Sequence, residues 1–128
     1  MAVIVVGYVP KPEGHAALRH AADEARLRSA RLVVVDVQRD TPAPLPDDEV
    51  RTVTAQLDHA GVAHEVRPAD PTVEPAEQLI AIAEQDDAAL IVIGLRRRSR
   101  VGKLILGSNA QRILLDASCP VLAVKAGD

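Results

Sequence analysis

Aromatic side chains are almost missing from this chain of 128 residues: it has no Trp, no Phe and one Tyr, Tyr8. Proteins that bind single-stranded nucleic acid or splayed RNA bases stack those bases on aromatic platforms. That class is disfavoured here, as is a flavin sandwich, and the core has to be built from Val, Ile, Leu and Ala. Cysteine is equally scarce. Cys119 stands alone, so no internal disulfide can form, which agrees with a reducing compartment and an expected cytoplasmic location. No apolar run approaches the ~20 residues of a membrane-spanning helix. The opening MAVIVVGYVP has no basic n-region and reads as a strand, so no secretory signal is expected. With 48% hydrophobic residues, the chain is expected to form one domain over residues 1–128 with a single sizeable core.

Five short apolar runs organise the chain: 2–6, 31–37, 62–66, 89–93 and 121–124. The first, second and fourth are nearly continuous and β-branched, as strands buried on both faces of a parallel sheet are. The third alternates, with His64 and Glu65 among valines, and suits an edge. Segments of helical period lie between the runs. Leu18, Ala21, Ala22 and Ala25 mark a face of the first, from about Glu13 to Ser29. Val50, Val53, Leu57 and Ala60 mark the second, which starts at Asp47 or Asp48 and has Gly61 at its C′ position. The third carries Leu79, Ile80, Ile82 and Ala83 after Pro75, and the fourth begins near Ser108. Strict β-α alternation predicts a three-layer α/β/α sandwich, with four helices on a five-stranded, mostly parallel sheet of order 3-2-1-4-5. In such sheets ligands sit beyond the strand ends where the order reverses, here between strands 1 and 4. The loops Gly7–Gly14 and Gly94–Gly107 are therefore the ones to watch.

The second of these is chemically the richest. Gly94 ends a buried strand, where a missing Cβ permits a sharp exit or a close ligand approach. Gly107, Ser108 and Asn109 open a helix whose free N–H groups and dipole favour an anion; Ser108 can cap that helix or bind a phosphate oxygen. Between them lie Arg96, Arg97, Arg98, Arg100 and Lys103 with no acidic residue. This is a +5 segment that leaves −8 on the rest of a chain whose net charge is −3. Gly-Ser at a helix start is also ordinary capping chemistry, and arginine loops are often simply solvated. The location at the switch point favours a small anion over both, and five charges on an acidic body make a weak nucleic-acid footprint.

The pattern resembles the universal stress protein family, whose nucleotide-binding members carry G-x2-G-x9-G-(S/T) after the fourth strand. Gly94, Arg97 and Gly107-Ser108 reproduce that spacing. The ending SCPVLAVK, Ser118–Lys125, is similar to the family's terminal strand. The resemblance implies binding of ATP or another adenine nucleotide, with Mg2+ as an optional companion. The implied contacts fall at Val9, Pro10, Val34, Gly94, Arg96, Arg97, Arg100, Gly107, Ser108 and Asn109. It also implies a homodimer through Val121–Val124 and a stress or signalling role. Two positions depart from the family pattern. Arg97 replaces the second glycine, and either swings outward to pair with phosphate or occupies the pocket. Val9 stands where the family has an Asp that contacts the nucleoside. Two alternatives follow: a nucleotide-independent homodimeric interaction protein of the same fold, and a cyclic AMP binder.

Rival chemistries find little support. Neither G-x-x-x-x-G-K-(S/T) nor G-x-G-x-x-G after strand 1 is present, and Gly7-Tyr8-Val9-Pro10 lacks the acidic pair of a receiver domain. His15 and His20 do not share a helix face, and His59 and His64 flank Gly61, so no metal site is expected. Cys119, before Pro120, reads as a small hydrophobe. Asp36 ends strand 2, either as a ribose acceptor or as a plain polar strand end. Without a nucleophile–base pair or paired carboxylates, no catalytic residue is assigned, and at most slow ATP hydrolysis is expected.

Overall fold

The computed structural model describes residues 1–38, 45–96 and 106–126. The chain alternates β1 (Val3–Tyr8), α1 (Pro12–Arg28), β2 (Arg31–Asp36), α2 (Asp47–His59), β3 (His64–Arg67), α3 (Pro75–Gln85), β4 (Leu90–Leu95), α4 (Ser108–Asp116) and β5 (Val121–Lys125). The strands pair in the order β3-β2-β1-β4-β5, all parallel, with Val6 beside both Val34 and Val92. This is the expected order, and it reverses between β1 and β4.

Because side chains alternate across a strand, the central strands feed two cores. Ile4, Val6, Leu32, Val34, Leu90 and Val92 pack beneath α1 and α2, while Val5, Val33, Val35, Ile91 and Ile93 pack beneath α3 and α4. The buried face of α1 is almost all alanine, with Ala16, Ala17, Ala21, Ala22 and Ala25 around Leu18. Small side chains let this helix lie close over β1 and β4. Pro12 enters at its first position, where its fixed φ suits a helix and no N–H is needed. Gly61 follows α2 at φ +72°, the left-handed turn anticipated for it.

The two sheet edges differ. At β3, the Glu65 carboxylate accepts from Arg31 and from Arg67 Nε at 3.0 Å, and Arg67 Nη2 reaches Asp86 at 2.8 Å. The Arg67 bond, reinforced by Arg31, holds Glu65 down at about 2 against partial desolvation. At the other edge, β5 carries Val121, Leu122 and Ala123, all half-buried. Just before it in the chain, α4 leaves Leu114 and Leu115 exposed at 41% and 82%.

Candidate functional site

Beyond the carboxyl ends of β2, β1 and β4 lies a cleft of about 420 Å³, within the usual size range for small-molecule sites. Its floor is Gly7, Ile93 and Gly94, and Val37 and Gln38 close the end above β2. One wall is the start of α1 and the loop before it, with Val9, Lys11, Glu13 and Gly14; the other is the paired starts of α3 and α4. The switch-point location is the one the strand order implied.

Glycine shapes the α1 wall. A Cβ on Gly94 would lie 2.0 Å from the Glu13 carbonyl oxygen, and one on Gly14 would lie 1.8 Å from that of Val9. Gly94 thus has an intramolecular reason to lack a side chain: the first turn of α1 crosses directly over it. The opposite wall is fastened by side chains. Asn109 Oδ1 accepts the Ala76 N–H at 3.3 Å, and Arg112 binds Glu77 at 2.8 Å. The N-cap of α4 is Gly107 in extended conformation, with no side-chain capping bond. Gly107, Asn109 and Ala110 of that helix start line the cleft, and Arg96 lines it from the end of β4.

Of the residues singled out from the sequence, Val9, Gly94, Arg96, Gly107 and Asn109 line this cleft. Pro10 is half-buried in the same loop but does not line it. Ser108 is exposed at the first helical position, outside the lining residues, while Gly107 holds the N-cap. Arg97 and Arg100, with most of the basic segment, lie outside the described residues.

Val34 needs correction. It is fully buried on the α1/α2 face, because a one-residue step along a strand reverses the face, and the cleft is served instead by Val37 two residues beyond Val35. Tyr8 follows the same parity. Although it falls within the marked segment Gly7–Gly14, it ends β1 and is 1% exposed in the core under α1 and α2, where its hydroxyl donates to Glu49. Burial, and then the Glu49 carboxylate, push its phenol well above the ordinary tyrosine range. Its ring lies 5.8 Å from that of His15.

Asp36 has no solvent exposure and does not reach the cleft. Its Oδ1 accepts the Gln38 backbone N–H at 2.9 Å and its Oδ2 accepts from Gln38 Nε2 at 3.4 Å. It therefore positions the amide that closes one end of the site. Cys119 is half-buried, and burial raises its thiol pKa, which suits a packing role. Sequence reasoning missed Lys11, Glu13, Val37, Gln38, Pro75, Ala76, Leu79 and Ile113, all of which line the cleft. For Lys11 and Glu13 the signal existed, since both fall in the loop Gly7–Gly14 already marked.

Comparison with known proteins gives this arrangement its family. A sequence profile of the Universal stress protein family matches residues 1–125. A universal stress protein from Mycolicibacterium smegmatis is 42% identical over 96% of this chain and 97% of its own length. The chain belongs to the universal stress protein family. Among solved structures, a universal stress protein from Archaeoglobus fulgidus superposes with a TM-score of 0.79 at 32% identity, covering 98% of this chain and 99% of that one. A structure from the same organism, solved in complex with dAMP, superposes with a TM-score of 0.72 at 26% identity over 98% of each chain.

Proposed function

We propose that the protein is an adenine-nucleotide-binding module that takes ATP in the cleft above β1 and β4 and has no dedicated catalytic machinery. The observation that carries this reading is the polarity of the cleft. The end above β2 offers Val37 and the Gln38 amide, Leu79 lies over Gly7 of β1, and the end above β4 offers Arg96 and the start of α4. Adjacent strands lie about 4.8 Å apart, so β2 and β4 are separated by about 10 Å, a span that suits a purine at one end and phosphates at the other. The dAMP complex of the Archaeoglobus relative supports the same ligand class. With Tyr8 buried elsewhere, the purine is held by aliphatic contacts and the anchored Gln38 amide. Any Mg2+ is carried by the phosphates, in the manner usual for nucleotide sites. Among the described residues no group of three or more His, Cys, Asp or Glu is placed to cage a metal ion.

Nucleotide occupancy in turn biases the protein's interactions in a stress or signalling role in the cytoplasm. It acts as a homodimer through β5, whose open, half-buried apolar edge and exposed neighbours Leu114 and Leu115 invite association. Equilibrium binding of ATP, AMP and cyclic AMP to the purified protein tests the reading, with mass spectrometry for a co-purified ligand. Saturable ATP binding that is lost in Gly107→Val supports it. Preference for cyclic AMP would reassign the ligand, and failure to bind any of the three would leave a nucleotide-independent interaction protein. Sedimentation at micromolar concentration tests the dimer, and a monomer there would count against it.

A further inference from the structure

We propose that Glu13 is the group that reads the sugar, accepting the ribose hydroxyls and so making the cleft selective for ribonucleotides with a free 2′,3′-diol. This assignment rests on the nucleotide reading above and refines it. With the purine above β2 and the phosphates at the start of α4, the sugar lies over the junction of β1 and β4. Glu13 enters the site at that junction: its carbonyl oxygen lies 2.0 Å, and its Cβ 3.1 Å, from the position a Gly94 Cβ would take. It is the one carboxylate among the described residues that line the cleft. Val9, on the same wall, offers no side-chain acceptor, and Asp36 is committed to Gln38.

The chemistry fits the location. A carboxylate has acceptor capacity for two hydroxyl donors at once, as a vicinal diol presents them, and charge-assisted bonds of this kind are stronger than neutral ones. An acid in the first turn of α1 also favours the helix dipole. That role, however, is indifferent to the sugar, which separates the two by experiment.

The test compares ATP with 2′,3′-dideoxy-ATP, by calorimetric titration of the full-length protein and of Glu13→Ala and Glu13→Gln. The native protein is expected to prefer ATP by about tenfold or more, since carboxylate oxygens covered by the ligand but left without donors are costly. In Glu13→Ala the preference falls to near unity, while dideoxy-ATP binds as well as before or better because a negative charge has left the phosphates' vicinity. Glu13→Gln falls between. Undiminished dideoxy-ATP binding also reports that the variant is folded. Native protein that binds ATP without discriminating the sugar, or Glu13→Ala that keeps the preference, overturns the role of Glu13 and leaves the nucleotide reading intact. Native protein that binds neither nucleotide overturns both.

Discussion

Replacing Gly94 by alanine adds a single methyl group, yet the geometry makes it a severe change. The new Cβ would meet the Glu13 carbonyl oxygen at 2.0 Å and its carbonyl carbon at 2.6 Å, where real contacts stay above 3.0 Å. The obstacle is backbone in the first turn of a 17-residue helix, so no side-chain rotation can relieve it. The start of α1 must withdraw from β4 by about an ångström, taking Lys11 and Glu13 with it. Overpacking of this kind costs about 1–3 kcal/mol, and a backbone clash belongs at the upper end. For a chain of this length each kcal/mol lowers Tm by about 4 °C, so a loss of about 10 °C is expected. Nucleotide affinity should also fall tenfold or more, since a binding constellation tolerates only about 0.5 Å of displacement. Gly61→Ala is the matched control. A Cβ there meets nothing within 4 Å, and the strain comes only from φ +72°, about 1 kcal/mol. It should lose about 4 °C with unaltered affinity. Differential scanning calorimetry and nucleotide titration of both variants decide the matter. A Gly94→Ala protein with native Tm and native affinity would refute the close approach of α1.

Glu65, held near 2 in the folded chain against 4.5 ordinarily, contributes stability that is complete above about pH 4.5 and is lost as pH falls through about 2. Urea unfolding should therefore find Glu65→Gln less stable than the native protein at pH 6, by no more than about 1 kcal/mol because the network is partly exposed, and equal to it at about pH 1, below both pKa values. An undiminished difference at about pH 1 would contradict the ion-pair origin. Tyr8→Phe removes the hydroxyl bonded to Glu49 and should cost about 1–2 kcal/mol in urea unfolding. In the native protein, ultraviolet titration should show no phenolate until the fold itself opens in alkali; ionisation in the ordinary tyrosine range would contradict the buried placement. Asn109→Ala unties α4 from the Ala76 N–H, at about 1 kcal/mol, and should weaken nucleotide binding without changing the secondary structure seen by circular dichroism. Unchanged affinity would place Asn109 outside the site.

The architecture was legible because apolar period and chain order carry it. Continuous β-branched runs at 31–37 and 89–93 could belong only to strands covered on both faces, and the alternation around His64 and Glu65 marked the edge that β3 occupies. Gly61 declared a helix end and stands at one. Residue parity was harder to read. In an all-valine stretch such as Val33-Val34-Val35, hydrophobicity is the same on both faces, so nothing local tells which valine shares the face of Val37, the one that lines the cleft. Tyr8, two residues beyond Val6 on β1, shares its face and so enters the core. At Gly94 the composition was informative but the cause was not: the absent Cβ makes room for α1, a contact made across more than 80 residues of chain. Gln38 and Ala76 could not be anticipated, since they reach the site only through Asp36 and through the pairing of two helix starts. The sheet order located the cleft; its lining depended on tertiary packing that no short motif encodes.

The contrast between β3 and β5 bears on how far association can go. A sheet with two receptive margins is a monomer unit for indefinite growth, each added copy exposing a fresh template. Here the four-residue β3 carries a carboxylate and a guanidinium already engaged with Arg31 and Asp86. A strand added there would have to disturb those bonds and desolvate the charges. Joining through β5, as proposed above, would use up the receptive margin of each partner and leave a charged one at both ends. Self-association along the sheet direction would then end at two copies, with the ion pairs at β3 acting as a stop signal rather than as a large source of stability.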